Sequence, residues 1–578
     1  MKNIAITLFV VLSVLFFGSS SCRHVSIPDM PETPEIPSQG NTPESPEPSA
    51  GEQTDGATII GKVTSTNGTP IANVVVSDGI KVVLTNANGE YRIVSDKSCG
   101  CVFVSLPGNY SAESINNLPQ IFQLLSSPSN QTEIHNFTLC PVDNSSSTII
   151  IQADQHLANR TEDINQFHSR ILPDMNNFIS HEKATGRNIY SISLGDSSWD
   201  QFWKANSFDL MDAVKCLQYI NCPIFHTIGN HDNNPYVADD WKSSSIFRMN
   251  VAPTYYSFNI GDVHFVILDN VIYNNPGATA SEMGERSYDR ALTENQLEWL
   301  KADLSTISDK TAPLVICAHV PFYGEPSLSG QNITTKRNML NTDRLEEIIS
   351  SFENVTLFSG HYHRNFSVES PFIKGVTEHN VASLSGTLWW TGKSGYAGNH
   401  LCTDGTPGGY GVLRINGKNI DYSYKCIGFD EDYRFRAYDL NKVRIDESCV
   451  SGKAQYKEMV KDYADVYYKA NSSNEILVNL FSWQPGWKIE IEEEGAPLYV
   501  SRVRTKDPLH ILSYECQRLS HNAVPTKTST FSTQYSTHFF KAKATKADTD
   551  ITIRVTDNSG KNYTQVIKRP KDFSVKMN

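Results

Sequence analysis

The sequence predicts an α/β core flanked by two β-rich domains, and three observations carry that expectation. A chain of 578 residues exceeds what one hydrophobic core supports, so two to four domains are expected. Between residues 145 and 425, short apolar runs alternate with helical stretches. On either side, β-branched runs are broken by turns with little helical periodicity. Composition is that of an ordinary globular chain, 39% hydrophobic and 20% charged, with a net charge of −13. That charge argues against a broad nucleic-acid-binding surface. It also means that a phosphate-bearing ligand needs local attraction, because the overall field repels it.

Residues 1–21 read as a signal peptide. Lys2 supplies a positive start, Ile4 to Phe17 is an almost unbroken apolar run, and Gly18 to Ser21 are small. The run is too short to be a comfortable membrane span. Small residues directly before Cys22 resemble a bacterial lipobox. The resemblance implies acylation of Cys22 and an exported protein lipid-anchored to a bacterial membrane, on its periplasmic or outer-membrane face. Ordinary cleavage, with Cys22 left as a thiol, is the alternative. Ten of the 11 cysteines remain beyond it, with no Cys-x-x-Cys pair and no readable disulfide connectivity.

Residues 22–56 are a tether, since prolines such as Pro31, Pro34, Pro43 and Pro48 alternate with polar residues and too little is apolar to fold. Residues 57–142 form a small β-domain. Its strands include Thr58 to Val63 and Val102 to Leu106, with hairpin signals at Asn67-Gly68 and Asn88-Gly89. It resembles the carboxypeptidase-regulatory-like sandwich modules of secreted bacterial proteins, which implies a spacer or docking role. Residues 145–425 carry the α/β core, with strands at Thr148 to Gln152, Ile189 to Leu194, Pro223 to Ile228, Val263 to Leu268, Pro313 to Ala318 and Val355 to Phe358. Thr293 and Gln296 make a capping-box pattern ahead of Leu297, Leu300 and Leu304 at helical spacing. Residues 430–578 return to β, with strands at Ile476 to Phe481, Trp487 to Ile491, Ile551 to Val555 and Tyr563 to Ile567.

Five polar clusters lie in the α/β region, most of them directly after an expected strand. They are Asp154-Gln-His156, Gly195-Asp196 with Asp200 four residues on, Gly229-Asn230-His231-Asp232, His319, and Gly360-His361-Tyr-His363. Strand ends are where open α/β sheets converge their loops on one crevice. Carboxylate, amide oxygen and imidazole are ligands for hard and borderline metals. Two cations about 3.5–4 Å apart bind ester oxygens, lower the pKa of a bridging water and clamp an in-line displacement at phosphorus. A carboxylate such as Asp196 suits a bridge, and a neutral amide such as Asn230 avoids over-neutralising the ions. His231 stands beside a ligand and, protonated, suits donation to a departing oxygen. Asp232 or Asp200 is placed to orient it.

The order of these clusters resembles the calcineurin-like metallophosphoesterase family, which includes purple acid phosphatases and many phosphodiesterases. The likeness covers about half the chain, with no departure at a core motif position. It implies an αββα sandwich core and two divalent or trivalent ions of Mn, Fe or Zn. Asp154, His156 and His363 would hold one ion, Asn230, His319 and His361 the other, and Asp196 would bridge them. His231 would contact the phosphate and assist the leaving group; beside it, the residue pattern itself adds Asp232 as a catalytic candidate. The segments Gly405 to Gly411 and Tyr433 to Tyr438 add a weaker likeness to multidomain lipoproteins of Bacteroidetes type.

Further candidates rest on single residues. Arg364, Arg160 and Arg286 are candidates for a substrate phosphate, and Trp389, Trp390, Tyr396, His400 and Tyr410 for a pocket mouth. His264, inside an apolar strand, reads as core. The leading function is a phosphoric ester hydrolase, with monoester and diester substrates both open. The rival is a binding or adhesion lipoprotein whose core does not turn over.

Overall fold

The computed structural model describes residues 56–393 and 396–577; the expected signal peptide, Cys22 and the tether up to residue 55 lie outside the described residues. The N-terminal domain is built of two sheets. In one, Ile59–Ser65 runs parallel to Phe137–Pro141 and antiparallel to Glu90–Ile93. In the other, Val75–Ser77 lies between Val82–Leu84 and Cys101–Ser105.

The core opens with β1 (Ser146–Gln152), α1 (Leu172–Ala184), β2 (Asn188–Ser193), α2 (Leu210–Leu217) and β3 (Ile224–His226). It continues through β4 (Tyr256–Ile260), β5 (Val263–Ile267) and the hairpin of β6 (Val271–Asn274) with β7 (Ser287–Arg290). There follow α3 (Glu294–Ser305), β8 (Leu314–Cys317), α4 (Thr342–Ile349), β9 (Val355–Ser359), β10 (Phe366–Glu369) and β11 (Val376–Asn380). The last two strands are β12 (Gly409–Asn416) and β13 (Asn419–Cys426).

Two sheets result, ordered β3-β2-β1-β12-β13 and β4-β5-β8-β9-β11-β10. The period-2 alternation of a strand explains why they stack. On β1, Ile149 and Ile151 join Phe265, Leu357 and Phe358 of the second sheet in one core cluster. Ile150 points the other way, into a cluster with Phe167, Met175, Ile179 and Leu217 of the helical layer. Strands buried on both faces need unbroken apolar runs, and Ile149 to Ile151 is one. The architecture is the αββα sandwich. The capping box of α3 forms only in part: Thr293 Oγ1 accepts from Gln296 N at 3.4 Å, but the Gln296 side chain turns to the main chain of Asp269.

The N-terminal domain docks on this core through Tyr255 Oη donating to the Gly79 carbonyl, Trp299 Nε1 donating to Ser77 Oγ and Ile224 N donating to the Asn117 carbonyl. The C-terminal region holds two four-stranded sheets, including Glu475–Leu480, Lys488–Glu493, Ile551–Thr556 and Asn562–Ile567, near the four expected strands. A helical run from Pro508 to Ser520 interrupts it, which the β-rich reading did not anticipate. The seam with the core is polar and buried. Asp404 accepts from Asn365 N and stands 3.0 Å from His538 Nε2, while Asn479 Nδ2 donates to the Asp404 carbonyl. Gly405, at φ +81°, sits where a Cβ would lie 2.0 Å from the Asp507 carboxyl carbon. Among the described residues no helix is long and apolar enough to cross a membrane, and all ten cysteines are unpaired.

Candidate metal centre

All seven proposed ligands leave the carboxyl ends of core strands. Asp154 and His156 follow β1, Asp196 follows β2, Asn230 follows β3, His319 follows β8, and His361 and His363 follow β9. The two sheets deliver them to one place. Asp154, His156, Asp196 and His363 group their ligand atoms within 4.8 Å of one another, and Asp196, His319 and His361 form a second such group. Asp196 belongs to both. Its Oδ2 is 3.7 Å from His156 Nε2 and 3.2 Å from His319 Nε2. Asn230 joins the second group, with Oδ1 3.1 Å from His319 Nε2.

The donor set fits two cations. His156 Nε2 and His363 Nε2 are 2.9 Å apart, and His361 Nδ1 is 3.2 Å from His319 Nε2. Ligand atoms about 2.0–2.2 Å from one ion stand roughly 3 Å from each other, so each pair has the spacing of two ligands on one ion. His319 shows its tautomer directly. Its Nδ1 lies 2.9 Å from the Leu194 carbonyl, which can only accept, so Nδ1 carries a proton and Nε2 is the atom left to face the cluster. His156 and His363 each bury an Nδ1 without a partner among the described residues.

Electrostatics divide the ligands: burial lowers the His319 pKa, but Asp196 outweighs burial and raises it to about 9, a proton that a bound ion would displace. Burial raises the Asp196 carboxyl, but His319 and His231 outweigh it and hold the group well below the usual range. His156 and His361 are pushed well below the usual histidine value by burial and by neighbouring imidazoles, so both stay neutral, as ligands must. Gly229 is required by close approach: a Cβ there would stand 2.2 Å from Asp196 Oδ1.

His231 stands at the edge of the ligand cluster. Its main-chain N–H donates to Asp196 Oδ1 at 2.8 Å, and Nδ1 is 2.6 Å from Asp200 Oδ1. Burial lowers its pKa, but Asp200 and Asp196 outweigh burial and raise it to about 9. Asp200 therefore orients His231. Asp232, the other acid placed to do so, instead accepts from Gly229 N, Ser198 N and Ser198 Oγ. Its role is to tie the two metal loops together, and burial with Asp196 nearby pushes it up to about 6.

The expected substrate residues divide. Arg364 is 7% exposed, pairs through Nε and Nη2 with both Glu325 oxygens at 3.0 and 2.7 Å, and is not free for a phosphate. Trp389 is 1% exposed and donates from Nε1 to the Gln155 carbonyl, bracing the Asp154–His156 loop from beneath. His400 is buried against the Leu384 carbonyl and pushed down to about 4 by that burial. Tyr410 is buried with its hydroxyl on Asp174. These four are supports, because their polar atoms are spent inside the protein. Trp390 and Tyr396 stay at a rim, half-buried. His264 bridges Asn259 and Asp303 in the core.

The β6–β7 hairpin supplies groups that sequence reasoning valued too little. Arg286 Nη1 donates to Asp200 Oδ1 at 3.0 Å, and Tyr288 Oη is 3.0 Å from His361 Nε2. Arg290 Nη1 reaches Asn338 at 3.1 Å. Even-numbered residues 286–290 are half-buried and the odd ones exposed, so one strand face looks onto the site. That alternation was the available signal. Glu378, also unanticipated, is fully buried and raised to about 7 by burial; it accepts from Phe322 N and Tyr323 N and fixes the loop after His319.

Comparison with known proteins agrees with this geometry. The family described as Calcineurin-like phosphoesterase matches residues 148–365, with its N-terminal companion at 57–142 and its C-terminal companion at 378–563. Purple acid phosphatase 15 of Arabidopsis thaliana is 24% identical over 262 residues, 40% of this chain and 43% of that protein. Purple acid phosphatase 23 of the same plant is 30% identical over 145 residues, 23% of this chain and 27% of that one. The chain thus spans less than half the length of these relatives. A dimetal phosphatase structure from Danio rerio aligns with 48% of this chain and 95% of its own, at 13% identity and a TM-score of 0.33. With the three segments in order and the Asp, Asn and His ligands brought together at the strand ends, this chain belongs to the calcineurin-like phosphoesterase family.

Proposed function

We propose that this protein hydrolyses phosphoric esters by an in-line displacement at a two-metal centre. The observation that carries the proposal is Asp196, one carboxylate shared by two complete donor groups. When bound, the ions supply a water of lowered pKa and neutralise the ester oxygens. The chain's own residues do the rest. Asp154, His156 and His363 hold one ion, Asn230, His319 and His361 the other, and the buried loops fix their spacing. His231 is kept protonated by Asp200, and its Nε2, without a protein partner among the described residues, is aimed to donate to the departing oxygen. Arg286, held by the same Asp200, presents its remaining donors to the substrate's anionic oxygens.

The substrate belongs to the exported compartment in this reading, because residues 1–22 have the form of a lipoprotein leader and Cys22 that of its acylated residue. The tether of residues 23–56 then holds the enzyme off the membrane.

The test is hydrolysis of 4-nitrophenyl phosphate and bis(4-nitrophenyl) phosphate by the full chain with Mn²⁺ or Zn²⁺, beside Asn230→Ala and His231→Ala. Metal-dependent turnover that both variants lose supports the proposal, and the preferred ester sets the subclass. Metal binding without turnover of either ester points instead to a non-catalytic binding protein.

A further inference from the structure

Beside the metal centre, three cations share one aromatic wall. The Trp199 ring stands 5.5 Å from that of His156 and 6.4 Å from that of His231. The Arg160 guanidinium lies 4.6 Å from the Trp199 centroid and 5.9 Å from that of Trp390. Trp390 is flanked further by Lys393 Nζ at 3.8 Å and by Arg518 at 5.1 Å. Trp199, Leu388 and Ala158 pack with Trp390 and Phe531 as one cluster. The wall therefore runs without a break from the ligand histidines to the C-terminal domain, which supplies Arg518 and Phe531.

The positive charge on this wall is offset only in part by the protein. The bonds these side chains make go to neutral acceptors: Arg160 donates to the Leu388 carbonyl, and Arg518 to Tyr396 Oη and the Phe531 carbonyl. The nearest carboxylates, Asp163 by Arg160 and Glu515 by Arg518, act on them through space but make their hydrogen bonds elsewhere. Asp163 accepts from the main-chain N–H groups of Ala158, Arg160 and Ile164, and Glu515 accepts from Thr533 N and Oγ1. Lys393 is held below its ordinary pKa by burial and then by Arg160 and Arg518, the sign of mutually repelling neighbours. Arg518 Nη2 and Trp390 Nε1 are buried with no partner among the described residues. Three clustered cations thus face two carboxylates that bond elsewhere, and Arg518 Nη2 keeps a donor to spare, so the wall can take an anion from outside.

We infer that this wall is a second anion subsite of the cleft, taking a further phosphate, sulfate or carboxylate carried on the leaving-group side of the ester. That side is part of the inference: Arg160 reaches the centre across Trp199, whose ring lies beside both His156 and His231. Selection there is by charge and N–H donation rather than by stacking, because the ring faces are already covered by the protein's own cations. The C-terminal domain thereby contributes to substrate choice. The inference rests on the hydrolase reading above.

The experiment uses the metal-loaded full chain and two phosphomonoesters with aromatic leaving groups, 4-nitrophenyl phosphate (neutral ring) and pyranine phosphate (three sulfonates on the ring). The readout is the ratio of their kcat/KM values, pyranine ester over nitrophenyl ester, at low and high salt. Lys393 is exposed, so its variants are expected to fold. The ratio is expected to fall about fivefold in Lys393→Ala and further in Lys393→Glu, to shrink with salt, and to hold in the control Lys215→Ala. A ratio that neither Lys393 variant nor salt changes overturns the subsite. If neither monoester is cleaved, the hydrolase reading is judged by bis(4-nitrophenyl) phosphate and fails only if that too is left intact. The subsite is then judged by the fluorescence anisotropy of free pyranine trisulfonate: weaker binding to Lys393→Glu than to wild type upholds it, and equal binding overturns it.

Discussion

Asp154, His156, Asp196, His361 and His363 all sit at positive φ, between 46° and 69°. Non-glycine residues held in that region store on the order of 1 kcal/mol or more each. The strain persists because neighbours over-determine it: Asp154 N donates to the Gly195 carbonyl, His156 N to the Asp196 carbonyl, and His361 N to the Asp154 carboxylate. Such turns aim side chains that a regular strand end would send apart. Two predictions belong to this scale. His231→Ala should lower kcat about 10²–10⁴-fold while metal content by atomic absorption stays at two per chain. Asp200→Asn should also lower kcat, whereas Asp232→Asn should mainly lower thermal stability, since Asp232 bonds loops and not His231. Equal kcat effects of the two would reverse the assignment.

At the scale of elements, the hairpin of β6 and β7 and the loop 401–408 decide the most. The hairpin places Arg286 and Tyr288 over the centre on one face, two residues apart. Arg286→Ala should raise KM for a phosphate ester about tenfold and move kcat less, because it removes an anion contact present before and during reaction; an unchanged KM would return Arg286 to a merely structural role. The loop locks the C-terminal sheets to the core through Asp404 and the tight approach of Gly405 to Asp507. Gly405→Ala adds a Cβ at positive φ against a buried carboxyl, so a loss of about 2 kcal/mol or more is expected in denaturant unfolding. A loss under about 0.5 kcal/mol would show that the seam yields.

For the whole molecule, ions and protons act together. Chelation should lower Tm, since ions bound only by the folded state contribute about 2.7 kcal/mol at a free concentration 100 times Kd. The metal-free protein carries its own pH dependence. Burial depresses His226 to about 4, His379 to about 3 and His400 to about 4. The unfolded chain takes up protons at these histidines below about pH 6.5, while the folded chain does so only near pH 3–4. The contribution of these histidines is therefore present above pH 6.5 and lost as pH falls toward 4, while Glu378 and Asp232, raised to about 7 and about 6, act in the opposite sense. Scanning calorimetry of the chelated protein and of its His400→Gln variant between pH 7.5 and 4.5 should show Tm changing less favourably with falling pH in the parent, and equal slopes would mean that His400 is not buried neutral in solution.

Much of the site was legible in the chain because metal ligands are a matter of residue type at strand ends. Asp154 to His363 could be picked out by those types, their order and the apolar runs before them. The α/β core with β flanks was legible for a similar reason, since periodicity and turn residues are local. Only the tertiary structure decided which acid holds His231: Asp200 is 31 residues away and Asp232 adjacent, and adjacency in sequence says nothing about where side chains point. It decided likewise that Arg364 is spent on Glu325, that Trp389 and His400 are buried supports, and that Arg160, Lys393 and Arg518 share one wall. Charge compensation and burial depend on partners distant in the chain, and packing alone brings those partners together.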